Sequence, residues 1–161
     1  MAHTWKFFRA GGFDQVKLES GAALANLDQL DQKLWVALAC PTRGLKFDSR
    51  TLDLIDTDKD GRIRAPEIIA AAKWATGLLK NPDDLVKCLP SLPLASISDA
   101  TPDGKQILAS ARQILINLGK PEAAVIELDE AMDTVKIFAT TTFNGDVIIP
   151  ADSAEDDRTT K

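Results

Sequence analysis

Asp56-Thr57-Asp58-Lys59-Asp60-Gly61-Arg62-Ile63-Arg64-Ala65-Pro66-Glu67 is the stretch from which the rest of the chain can be ordered. Carboxylates alternate at 56, 58 and 60, a glycine follows at once, and a glutamate closes the run. Both flanks read as helix. Upstream, a short helix is expected from near Ser49 through Leu52 to Ile55. Downstream, Pro66 to Lys80 reads as a second helix. Pro66 suits its first turn, where a missing N–H leaves no bond unmade. Ile68, Ala72, Ala75 and Leu79 recur at helical spacing, and Asn81-Pro82 stops the pattern. A solvated acidic turn that merely capped a helix at Pro66 would not need Leu52 and Ile55 before it or Ile68, Ala71, Ala72 and Ala75 after it.

The loop and its flanking helices, about 30 residues together, resemble the EF-hand family. The resemblance implies a calcium ion held by the carboxylates of Asp56, Asp58 and Asp60, the backbone carbonyl of Arg62 and both oxygens of Glu67. Gly61 would allow the sharp turn that a side chain obstructs. Ile63 would point into the core and lend its backbone to a short β contact. Two oxygens from Glu67 suit the higher coordination number of calcium better than the octahedron of magnesium. Arg64 departs from the common pattern, because its side chain offers no oxygen at the ninth place and a water would fill that vertex. Lys59, Arg62 and Arg64 also set three positive charges near four negative ones, which argues against tight affinity.

Such loops normally pair. A charge-poor counterpart is expected at 140–151, where Gly145 aligns with Gly61, Val147 with Ile63 and Pro150 with Pro66. Thr140, Thr142 and Asn144 stand in place of the aspartates, and Ala151 in place of the glutamate. On this reading Ile63 and Val147 exchange backbone hydrogen bonds, and the second loop braces the first without an ion of its own. An exiting helix would begin near Asp152. Little sequence follows, which suggests a fragment of a longer protein.

The remaining segments are read in order. Trp5 to Leu18, aromatic around Gly11-Gly12, suggests a β-hairpin arm within residues 1–20. Leu24, Leu27, Leu34 and Leu38 predict one helix over Gly21 to Ala39, capped by Ser20. Pro82 to Gly104 reads as a long connection with one helical turn around Asp83 to Cys88. Thr101-Pro102 begins an amphipathic helix with Ile107, Leu108, Ala111, Ile114, Leu115 and Leu118 on one face, and Gly119 ends it. Pro121 should open another helix through about Phe138. The fold expected is mainly α: one EF-hand-like helical domain over 1–161, with a short N-terminal β-hairpin and a small β contact between two loops.

Composition narrows the function. The net charge is −5 and no basic run occurs, which excludes a nucleic-acid binder. No apolar stretch nears the roughly 20 residues that span a bilayer, and the opening residues lack the apolar core of a secretory signal. Cys40 and Cys88 match no metal or redox spacing, and their apolar neighbours predict two reduced, buried thiols; a reducing, cytoplasmic setting follows. His3 is the one histidine, and no nucleophile, acid/base or phosphate-loop pattern appears, so an enzyme is not expected. The expected function is a calcium-binding module with a structural role, inside a longer chain or beside a protein partner. The alternative is a protein-interaction scaffold, with Trp5, Phe7, Phe8 and Phe13 as an apolar patch and the metal site incidental.

Overall fold

The computed structural model describes residues 3–132. The chain divides into two compact units, Met1–Cys88 and Leu89–Lys161. In the first unit, β1 (Phe7–Ala10) and β2 (Phe13–Val16) form the expected antiparallel hairpin, with Phe7 opposite Val16 and Ala10 opposite Phe13. Helix α1 (Gly21–Ala25) starts on Ser20, whose Oγ accepts from the Ala23 N–H at 3.2 Å.

The long helix expected to Ala39 does not form. The chain leaves α1 after one turn, makes two 3₁₀ turns at Leu27–Gln29 and Gln32–Leu34, and enters β3 (Ala39–Pro41). Two polar side chains account for the break. The Asn26 amide donates to the Ala22 carbonyl at 2.8 Å, and Asp31 accepts from the Lys33 N–H at 3.0 Å. Each offers the backbone an alternative to the next helical bond. Of the stripe Leu24, Leu27, Leu34 and Leu38, Leu27 is buried while Leu34 and Leu38 are exposed, and Leu30, outside the stripe, is buried beside it; with the helix broken, its spacing no longer selects one face.

Helices α2 (Ser49–Ile55) and α3 (Ala65–Leu78) flank the acidic loop as expected, and β4 (Arg62–Arg64) lies within it. Asp48 caps α2 through the Thr51 N–H at 2.7 Å. Helix α1 packs on α3 and on a 3₁₀ turn at Pro82–Lys87. That junction is close: a Cβ on Gly21 would lie 2.2 Å from the Pro82 carbonyl carbon. The Gly21 N–H donates to Asp83 Oδ1 at 2.6 Å.

The second unit runs β5 (Ser91–Pro93), a 3₁₀ turn at Leu94–Ser96, α4 (Pro102–Asn117), β6 (Val125–Glu127) and α5 (Leu128–Met132). Thr101 caps α4 through the Gly104 N–H at 3.1 Å. Ile97, Ala111, Leu115 and Ile126 form the buried core, with Leu92, Leu94, Ile107, Leu108 and Ile114 packed around it. Here too a helix is misplaced by the sequence. Pro121 does not open one; Val125 and Ile126, both β-branched, pair with β5, and the helix begins only at Leu128.

Among the described residues three two-stranded sheets therefore interleave with the helices, and the fold is mixed α/β; the mainly-α reading with a single hairpin is overturned. The physical reason is pairing between segments far apart in sequence. The loops between these helices leave backbone groups that no helix consumes, and short ladders satisfy them. Cys40 and Cys88 are free but exposed, not buried as their apolar neighbours suggested.

Candidate metal centre

Gly61 sets the shape of the acidic loop. It takes φ +82, a backbone conformation in which a side chain would be strained, and its N–H donates to Asp56 Oδ2 at 3.0 Å. Two further amides turn onto the aspartates: Asp60 N–H donates to Asp58 Oδ1 at 3.2 Å, and Arg62 N–H to Asp60 Oδ1 at 2.9 Å. The result is convergence. Among the described residues Asp56, Asp58 and Asp60 form the group that could hold a metal ion, each offering a carboxylate oxygen within 4.8 Å of the others.

Asp56 carries the strongest signal. It is 3% exposed, and its Oδ1 has no hydrogen-bond partner. An unpartnered buried carboxylate oxygen is costly, and a cation is the partner that removes the penalty. The donor set is all oxygen, which suits a hard ion. The residues present therefore fit a hard cation held by oxygen ligands.

Ladder alternation prepares the Arg62 carbonyl for the same role. β3 pairs with β4 as Ala39 with Arg64, Cys40 with Ile63 and Pro41 with Arg62. The Thr42 N–H donates to the Gly61 carbonyl at 3.1 Å, so the next pair, Pro41 with Arg62, is a non-hydrogen-bonded one. Pro41 thus loses nothing by lacking an N–H, and the Arg62 carbonyl is left unused by the ladder. Ile63, 3% exposed, points into the core as expected.

Glu67 stands apart from the three aspartates. Its Oε1 accepts from the Thr57 N–H at 2.8 Å and the Thr57 hydroxyl at 3.2 Å; its Oε2 accepts from the Arg64 N–H at 2.8 Å. The last bond is half of a capping box at the start of α3; the other half needs an acceptor, which an arginine side chain is not. The Arg64 N–H, with the Thr57 donors adding to it, holds the Glu67 carboxyl below its ordinary value, so Glu67 stays an anion beside the cluster.

Arg64 does more than fail to ligate. Its Nη2 lies 2.6 Å from Asp60 Oδ2 and its Nη1 3.6 Å from Asp58 Oδ2. The guanidinium holds the Asp60 carboxyl below its ordinary value, with the Arg62 N–H adding to the effect. Lys59 turns away and donates to the Asp53 carbonyl at 2.6 Å.

Sequence reasoning missed the strand that braces the loop. Cys40 is the ladder partner of Ile63 on β3, and Thr42, 4% exposed, closes on Gly61 with both its N–H and its hydroxyl. The sequence carried little signal for it, since β3 is three residues long and ends on a proline. The expected partner Val147, with Thr140, Thr142, Asn144 and Gly145, lies outside the described residues. A comparison with known protein families, characterised proteins and solved structures finds no match.

Proposed function

We propose that this chain is a calcium-binding module whose ion has a structural role, and that residues 56–67 are an EF-hand loop. The observation that carries the reading is the buried, unpartnered Asp56 Oδ1 inside the group made with Asp58 and Asp60. Asp56, Asp58, Asp60, the Arg62 carbonyl and Glu67 are the residues that would hold the ion. Calcium supplies charge neutralisation and a fixed geometry there, not chemistry. The chain's own residues do the rest: Gly61 turns the loop, β3 braces it, and the Glu67 bond to Arg64 ties it to the start of α3. Binding to the native state alone stabilises the first unit by mass action. The exposed free thiols of Cys40 and Cys88 accord with a reducing, cytoplasmic setting. Among the described residues no helix is long and apolar enough to cross a membrane.

Calorimetric titration of the whole chain with calcium and with magnesium tests the reading. One calcium site is expected, with magnesium weaker, and no calcium heat after Asp56→Ala. A wild-type chain that takes up no calcium at millimolar concentration refutes it.

One observation favours a second reading, a protein-interaction scaffold. Phe8 is 42% and Phe13 67% exposed, and the register places both on the same face of the β1–β2 hairpin. Loss of a partner on Phe13→Ser, with calcium binding unchanged, would assign that face its own role.

A further inference from the structure

Residues 119–130 repeat the backbone plan of residues 56–67. In the second unit Ser91 pairs with Glu127, Leu92 with Ile126 and Pro93 with Val125. In the first, Ala39 pairs with Arg64, Cys40 with Ile63 and Pro41 with Arg62. A proline ends the bracing strand both times. The residue after it donates its N–H to the same place in the loop: Thr42 to the Gly61 carbonyl at 3.1 Å, Leu94 to the Ala124 carbonyl at 2.9 Å. The central residue is buried in each, Ile63 at 3% and Ile126 at 8% exposure. A helix follows at Ala65 and at Leu128. Its third residue is a glutamate that reaches back to the same amide: Glu67 Oε2 to the Arg64 N–H at 2.8 Å, Glu130 Oε2 to the Glu127 N–H at 2.9 Å.

The loops part company at the positions that would hold an ion. Gly119, Pro121 and Ala123 stand where Asp56, Asp58 and Asp60 stand, and none has a side-chain oxygen. Lys120 stands where Thr57 stands. Its Nζ sits 2.5 Å from Glu130 Oε1, the oxygen that in Glu67 receives the Thr57 donors. The Glu130 side chain is 13% exposed and that of Lys120 57%, so a mostly exposed lysine meets a mostly covered glutamate.

We propose that the Lys120 ammonium is the resident cation of the 119–130 loop: it holds Glu130 in place, Glu130 holds the Glu127 amide, and the β6–α5 corner is thereby built without a metal. The loop takes no divalent ion. The second unit is a metal-independent version of the corner that the first unit builds around acids. This rests only on contacts within residues 89–132 and stands whether or not the first loop binds calcium.

The competing account is an ordinary surface ion pair that contributes nothing measurable. Amide hydrogen exchange of the whole chain, read at Ile126 and Glu127, separates the two. Lys120→Met should speed exchange there by about tenfold or more, because it strands a covered carboxylate. Lys120→Arg should keep most of the protection. Adding Glu130→Gln to Lys120→Met should restore most of it, because the amide needs no counter-charge and its carbonyl oxygen still accepts from Glu127. Calcium should leave these two amides unchanged in the wild type. The proposal is overturned if Lys120→Met exchanges like the wild type, if the double variant is no slower than the single, or if calcium slows wild-type exchange at these amides. Should Lys120→Met fail to fold, the double variant decides: folded and protected upholds the proposal, unfolded overturns it.

Discussion

Two loops of this chain share a ladder register, a buried isoleucine and a glutamate at the third position of the following helix, yet they balance charge in opposite ways. Residues 56–67 gather Asp56, Asp58 and Asp60 and leave Asp56 Oδ1 buried without a partner. Residues 119–130 carry no acid at the matching positions and place Lys120 on Glu130. The backbone plan therefore does not itself require an ion. It requires that the closing glutamate meet positive charge or N–H donors, and the side chains decide whether that comes from within or from solution.

The comparison breaks most readily at Asp56. Asp56→Ala should weaken calcium binding by at least about 100-fold, beyond what loss of an outer-shell partner gives, and should leave exchange at Ile126 and Glu127 untouched. Calorimetry and exchange on one sample check both halves. Retained calcium affinity would remove the ion from the first loop.

Glu67→Gln should weaken calcium by about tenfold or more, again on the scale of losing one well-placed partner. Thr57→Ala should do much less, because the Thr57 backbone N–H still donates to Glu67 when the hydroxyl is gone. Titration giving equal affinities for the two variants would sink the assignment of Glu67 as a ligand.

Arg64 sharpens the contrast, since it is the first loop's own partial counter-ion. Arg64→Gln frees Asp58 and Asp60 and should tighten calcium by up to about fivefold, the upper end for an exposed pair worth about 0.2–1 kcal/mol. The gain should shrink at high salt, because the pair is exposed and screened. Weaker binding after the change would show that Arg64 shapes the loop and does not compete for its acids.

The smallest effect concerns pH. The Lys120 ammonium, with the Glu127 N–H, holds the Glu130 carboxyl below its ordinary value of 4.5. A depressed carboxyl contributes stability that is present above its unfolded value and is lost as pH falls through the folded one. Lys120, raised above its ordinary 10.5 by Glu130, contributes below that value and loses its part as pH rises through the folded one. Protection at Ile126 and Glu127 should therefore be flat between these limits and decline in acid as pH falls below 4.5. Glu130→Gln should remove the acid limb, and an unchanged limb would assign it to another carboxylate.

Much of the candidate site was legible because its determinants are local. Alternating acids, Gly61 and the apolar flanks lie within one short run, and the cap at Ser20 and the helix start at Thr101 likewise act over three residues. The bracing strands were not legible. Ala39–Pro41 and Ser91–Pro93 are short, carry little β propensity, and become strands only because a loop distant in sequence offers its backbone groups. The Asn26 and Asp31 side chains that break the expected long helix are ordinary polar residues until their hydrogen bonds are seen.

What the sequence determined by itself was the acidic loop, the helices on either side of it, the N-terminal hairpin and the amphipathic α4. Each follows from turn chemistry or periodicity within a few residues of its own position. What only the tertiary structure decided was the mixed α/β character, the pairing of Ile63 with Cys40 and the repetition of the loop plan at 119–130. That repetition has no shared acids to announce it. It is written in backbone hydrogen bonds and in one lysine-to-glutamate contact, and backbone groups are the same for every sequence until folding chooses their partners.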